Sequence, residues 1–308
     1  MALTPGNFEL NQRNHNTIVK NLLKRTGELS PEAIKGGSAW YPSAQKDAEF
    51  IGSESGQGTL AGAAALGRLS PGQDWDLNRL MGIQTLHMDD KATAAIQTAA
   101  EIPREKDERL KELAKTERNR LRGVAGLPGT PLDNQTTDNV NKSLKVVQGT
   151  AEPMSIFNIH PKQSRKVSDF ALTIAAGGEH PHAVIDTHAY DAAMDSYTVP
   201  YNTGNIHMKK AGVYNFIQSA YERAHGEAIK RGMIPETMSM GDFQAIHWLH
   251  QKQGKQEASA RSSGTSRGAG GNIESILAEH PHLDPARLGL DPIVSRSTHF
   301  TTGTGEGR

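Results

Sequence analysis

Residues 156–194 read IFNIHPKQSRKVSDFALTIAAGGEHPHAVIDTHAYDAAM. Lys166 heads a segment whose apolar residues Phe170, Ala171 and Ile174 recur at helical spacing. Gly177-Gly178 ends that segment, and Val184-Ile185-Asp186-Thr187-His188 opens another, with the aspartate as cap. The spacing predicts helices over 166–176 and 187–194. An amine and a carboxylate, twenty residues apart in the chain, then stand at neighbouring helix starts. Read alone, Lys166 is a solvated lysine in a first turn and Asp186 is an N-cap. Capping does not exclude chemistry, because it holds the carboxylate rigidly beside the positive end of a helix.

Outward from this stretch, the apolar pattern keeps a helical period throughout. It predicts helices over 17–24, from a Ser30-Pro31 start to Gly36-Gly37, and over 41–51, 58–69, 74–88, 91–102, 136–147, 212–231 and 239–251. The Ala-rich segment 58–69 has the small side chains of a central helix packed on several sides. Residues 103–122 alternate charge signs around a thin stripe of Leu110, Leu113 and Leu121, as an exposed helix laced with i,i+4 pairs does. No segment alternates at period two, so the fold class is all-α. The organisation predicted is an N-terminal helical segment over 1–35, a helical domain over 36–252 with 103–122 as a charged insertion, and a low-complexity linker and tail over 253–308. One short helix, 273–279, lies inside that last part, and the end, 301–308, is expected to be disordered.

Lysine plus arginine and aspartate plus glutamate number 34 each, so no global charge draws the chain to nucleic acid or membrane. Cysteine is absent, which excludes disulfides, thiolate zinc sites, iron–sulfur clusters and cysteine nucleophiles, and fits a reducing interior. The first residues lack the apolar core of a secretory signal, and no apolar run is long enough to span a bilayer. The expectation is a cytoplasmic monomer without cofactor.

Four motifs in order give the chain a resemblance. His160-Pro161-Lys162-Gln163-Ser164-Arg165-Lys166 precedes the apolar helix, and Val184-Ile185-Asp186-Thr187-His188 begins the next. Leu69-Ser70-Pro71-Gly72-Gln73 with Asn78 forms an upstream turn, and Asn139 to Val147 reads NVNKSLKVV. This order resembles the helix-hairpin-helix DNA glycosylase superfamily, to which endonuclease III belongs, over residues 40–251. It is also similar to members of that superfamily carried by actinobacterial phages, which share the Leu-Ser-Pro…Trp…Asn turn and an Ile-Asp-x-His-Ala-x-Asp-Ala-Ala segment, here residues 69–78 and 185–193. Such an origin would place the protein in the cytoplasm of a bacterial host.

The resemblance implies a two-lobed glycosylase-like bundle that flips a base out of DNA. Asp186 would stabilise positive charge on the sugar or activate a nucleophile, and Lys166 would attack the sugar carbon to form a Schiff base. The hairpin glycines of the family are replaced here by Lys162 and Ser164, so Lys162 and Arg165 would meet phosphate through side chains instead. Gln73, Asn78, Lys209 and Lys210 complete the expected DNA contacts. Trp40, Tyr41, Trp75 and His188 are the candidates for a base pocket, against the plainer reading that the aromatics are core or rim packing. His180, His182 and His188 cluster, and His247 and His250 sit about one helical turn apart, but with no acidic third ligand evident they are not read as a metal site. Two alternatives stand beside excision: a phage enzyme that joins an amine to an activated base on the same fold, and a non-catalytic DNA-binding module.

Overall fold

A computed structural model describes residues 8–157, 161–196, 208, 210, 212–263 and 273–292, with backbone alone for 161–164 and 256–263. Among them every regular element is helical and no strand is present. In chain order the helices are α1 (Gln12–Glu28), α2 (Pro31–Ser38), α3 (Trp40–Glu54), α4 (Thr59–Leu69), α5 (Trp75–Leu86), α6 (Asp90–Glu101) and α7 (Glu108–Val124). They continue as α8 (Thr137–Val147), α9 (Pro161–Ala175), α10 (Thr187–Ala193), α11 (Val213–Lys230), α12 (Met240–Ser263) and α13 (Ile273–Glu279).

The helices sort into two groups by what they bury. α1, α10, α11 and the first turns of α12 share a core of Ile18, Leu22, Tyr190, Ile217, Tyr221 and Phe243. α3, α4, α5, α8 and α9 share the other apolar clusters. At the centre of the second group lies α4, whose Ala61, Ala63, Ala64, Ala65, Leu66 and Leu69 are all fully buried. Small residues let it approach α3 at backbone distance: a Cβ on Gly62 would lie 2.0 Å from the Ala48 carbonyl oxygen. α12 joins the groups, packing on α2, α3 and α10.

Several boundaries depart from the sequence reading. α1 does not form a separate N-terminal unit; its Ile18, Val19, Leu22 and Leu23 belong to the same core as α10 and α11. α12 runs to Ser263, past the linker start expected at Gln253. α13 occupies the residues expected of it, but it belongs to no free tail. Ile273, Ile276 and Leu277 pack with Leu80, Ile83 and Leu283, and the Asp291 carbonyl accepts from the Arg79 guanidinium at 2.5 Å. The expected disorder over 301–308 lies outside the described residues. In α7 only Leu121 of the leucine stripe is buried, against α6, while Leu110 and Leu113 are exposed.

The largest correction concerns the hairpin. Where the resemblance places a turn before Lys166, α9 already runs from Pro161; a 3-10 turn, Ser155–Phe157, lies upstream, and 158–160 are outside the described residues. Proline is favoured in a first helical turn, and without glycine nothing at 162–166 favours a left-handed turn. Lys166 therefore stands in the second turn of α9. Lys162 and Ser164 lie in its first turn, with side chains outside the description.

Candidate functional site

Residues from five helices and two connecting segments face a single hollow. On α9, Lys166 and Phe170 are one turn apart and face the same way. On α12 the stripe is Gln244, Ala245, Trp248 and Lys252. The start of α3 contributes Trp40 and Tyr41, and the start of α5 contributes Trp75 and Asn78 after the loop Ser70–Asp74. The segment leading into α10 adds Val184, Asp186, Thr187 and His188. Together they line an open cavity of about 460 Å³ at the seam between the two helix groups.

Its wall is aromatic. The chain has three tryptophans, and all three line this cavity. Trp40 sits 5.0 Å from Trp75, 5.5 Å from Trp248 and 5.9 Å from Phe170, centroid to centroid. Tyr41 meets Trp40 edge-on at 4.7 Å and donates its hydroxyl proton to Gln244 Oε1 at 2.9 Å. Such tilted and edge-on contacts lock the rings together as one rigid wall.

The polar groups are few and anchored. Asp186 caps α10: its Oδ1 accepts from the Ala189 amide at 2.8 Å, and its Oδ2 accepts from the Trp248 indole N–H at 2.9 Å. One carboxylate is thereby fixed by two helices. Lys252 pairs with Asp74 at 3.2 Å, and its ammonium lies 5.2 Å from the centre of the Trp248 ring. His188 stands edge-on to Trp248 at 6.0 Å with Nδ1 buried and unpartnered. Burial lowers its pKa; Asp186 opposes that shift, and Lys255, Lys252 and Lys166 reinforce it. Behind this wall Asp191 is buried against Lys255, and burial raises its carboxyl to about 6 despite that partner.

The residues singled out from sequence divide clearly. Lys166, Asp186, Trp40, Tyr41, Trp75, His188, Gln73 and Asn78 all line the cavity. Asn78 is not on an outer phosphate-facing surface: it is 1 % exposed, and its amide donates to the Leu66 carbonyl at 3.1 Å. Arg165 turns toward α11, where its guanidinium donates to Asn215 and to Gln218 and lies over the Tyr214 ring. Lys210 is exposed and outside the cavity wall, and Lys209 lies outside the described residues.

The histidine groups separate as well. His182 pairs with Glu222 on the surface. His247 is fully buried, its Nδ1 bonded to the Phe243 carbonyl, and its pKa is lowered to about 4 by burial. Among the described residues no group of three or more His, Asp or Glu side chains is placed to hold a metal ion.

Sequence reasoning missed Trp248, Phe170, Gln244 and Lys252 as site residues. Trp248 sits in the apolar run FQAIHWLH, where an aromatic reads as core. Phe170 reads in the sequence as part of the buried stripe of its helix. Its spacing from Lys166 was the available signal.

The fold and site thus define an all-helical protein with an aromatic-walled cavity that holds a lysine and a capping aspartate. Residues 7–255 match a family of unknown function, DUF7178, and the chain belongs to that family. No curated protein and no solved structure matches it. No helix among the described residues is long and apolar enough to cross a membrane.

Proposed function

We propose that the protein is a DNA-base-directed enzyme of the helix-hairpin-helix glycosylase kind, which flips a nucleotide into this cavity and cleaves its N-glycosidic bond. The observation that carries this reading is the meeting of Trp40, Trp75, Trp248 and Phe170 with Asp186 and Lys166 around one opening. A hollow of about 460 Å³ suits a planar ring, and aromatic walls replace the stacking the base loses in the duplex.

Bond cleavage leaves positive charge on the sugar. Asp186, fixed by the Ala189 amide and the Trp248 indole, is a pre-oriented anion for that charge. Lys166 lines the cavity and has no carboxylate partner within ion-pair distance among the described residues. Deprotonated, it would attack the sugar carbon as the bond to the base breaks; the amine then loses a proton, the sugar ring opens at its carbon–oxygen bond with that oxygen protonated, and a Schiff base is left for lyase cleavage. Without that attack, water takes its place and the product is an abasic site.

The altered segment before Lys166 favours a second reading on the same fold. A helical start at Pro161 in place of a glycine hairpin removes the family's usual backbone cradle for phosphate. A non-catalytic DNA-binding module that keeps only the scaffold fits that change.

The test is a panel of duplexes, each with a single altered base, incubated with enzyme and then heated in alkali. Excision predicts strand breaks that Asp186→Asn abolishes, and borohydride traps a covalent adduct that Lys166→Ala lacks. A mass gain on an activated base without strand breakage supports base modification. No breaks, no adduct and no mass change across the panel overturn the reading.

A further inference from the structure

Among the polar groups in the cavity wall, His188 is a rigid ring whose hydrogen bonding the protein leaves open, beside the flexible amine of Lys166. It is the second residue of α10, two positions beyond the Asp186 cap. Its Nδ1 is sealed from solvent and has no partner. That leaves Nε2 as the ring nitrogen that meets the cavity. Trp248 stands edge-on beside the ring and limits its tilt. Asp186 is bonded through both oxygens, the Gln244 carbonyl is taken by Tyr41, and the Asn78 amide N–H donates to Leu66 while its oxygen stays buried without a partner.

Lysines 166, 252 and 255 act on this ring together with burial, and the Asp186 carboxylate alone favours its charged form. A neutral imidazole carries one ring proton. With that proton on Nδ1, a buried N–H would have no acceptor, the costlier kind of orphan. On Nε2, the ordinary position for a free imidazole side chain, it points into the open space.

We infer that the cavity selects an oxo-substituted heteroaromatic ring, whose edge carbonyl accepts a hydrogen bond from the Nε2–H of His188 while the tryptophans hold its faces. This rests on the reading of the cavity as a base pocket and adds which bases enter it: those with a carbonyl on the edge facing α10, in preference to rings that lack one. A ring donor fixed in the wall disfavours a ligand without the matching acceptor, because that donor is left unpaired.

Quenching of tryptophan fluorescence in the full chain is the readout, with inosine and purine riboside as probes. The two share ring size and differ at the 6-oxo edge. Inosine should quench at about tenfold lower concentration, the worth of one hydrogen bond. His188→Phe should bind both alike, at the purine riboside level, and His188→Gln, which keeps an N–H donor, should restore part of the preference. In the ligand-free protein, nitrogen NMR should show His188 with Nδ1 unprotonated. Equal binding of the two nucleosides by the unaltered chain, a preference that survives in His188→Phe, or a protonated Nδ1 would overturn the inference and leave the base pocket standing. Failure of both nucleosides to quench would overturn the base pocket itself, and the inference with it.

Discussion

The indole N–H of Trp248 donates to Asp186 Oδ2 at 2.9 Å, so the aspartate that caps α10 is also held by the middle of α12. The bond crosses the seam on which the cavity lies. Its donor, the Trp248 ring, is itself packed against Trp40. Trp248→Phe keeps the aromatic wall and the cap and removes only the second anchor. A hydrogen bond to a charged group contributes about 1.5–3 kcal/mol, so excision should slow by about tenfold or more while the thermal midpoint moves little. Single-turnover rates beside a melting curve check this, and an unchanged rate would remove the anchor from the account.

Asp186 has two separable duties. Asp186→Asn retains an oxygen for the Ala189 amide, turns its NH2 to the Trp248 indole N–H and removes the charge, so it should keep α10 capped and lose strand-breaking activity. Asp186→Ala loses the cap as well, at about 1 kcal/mol, and should also melt about 2–4 °C lower. If both variants melt alike, the cap contributes nothing to α10.

Gly62 and Gly123 both lie within helices and should respond in opposite directions to alanine. At Gly62 the new methyl would lie 2.0 Å from a backbone carbonyl that cannot move aside, so Gly62→Ala should cost about 3 kcal/mol. At Gly123, near the end of α7, nothing lies within 4 Å, and Gly123→Ala should gain about 0.5–1 kcal/mol from helix propensity. Denaturant unfolding of the two variants reads both signs.

Acid acts on this fold in two opposed ways. Burial holds His247 at about 4 in the native state, below the ordinary 6.5. Its stabilising contribution is complete above pH 6.5 and is lost as pH falls through 4. Asp191 is held at about 6 against an ordinary 3.8, and Asp47, buried beside Arg79, likewise. Their contribution is complete below pH 3.8 and is lost as pH rises through 6. Acidification from pH 7 to 4.5 should therefore destabilise His247→Gln less than the unaltered chain, and Asp191→Asn more. The slope change is at most about 1.4 kcal/mol per pH unit for each proton involved. Variants that track the unaltered chain would contradict both shifts.

What the sequence made legible followed from local rules. Asp186 was readable because a cap acts within its own turn, and α4 because a helix of alanines and glycines has few other uses. Lys166 was readable by its place on the helix, although α9 starts five residues earlier than the motif implied. Trp248 and Lys252 were not readable, since nothing near them in the chain says that α12 turns that face to α10 and not to the core. The same holds for Asn78 and Arg165, expected at a DNA surface. Their partners, Leu66, Asn215 and Gln218, lie across helix contacts that a local reading does not reach. The packed segment 273–292 was hidden by the Ser/Gly-rich stretch before it, which reads as the start of a tail.

The central claim is that a DNA base enters the tryptophan-walled cavity. The most direct measurement is photocrosslinking of the full chain to duplexes that carry a single mispaired 5-iodouracil, with the attachment site mapped by peptide mass. The account predicts attachment to Trp40, Trp75, Trp248 or Phe170, reduced by substitution of the residue found. Attachment only outside the cavity, or none while the protein is bound to the duplex, would contradict it.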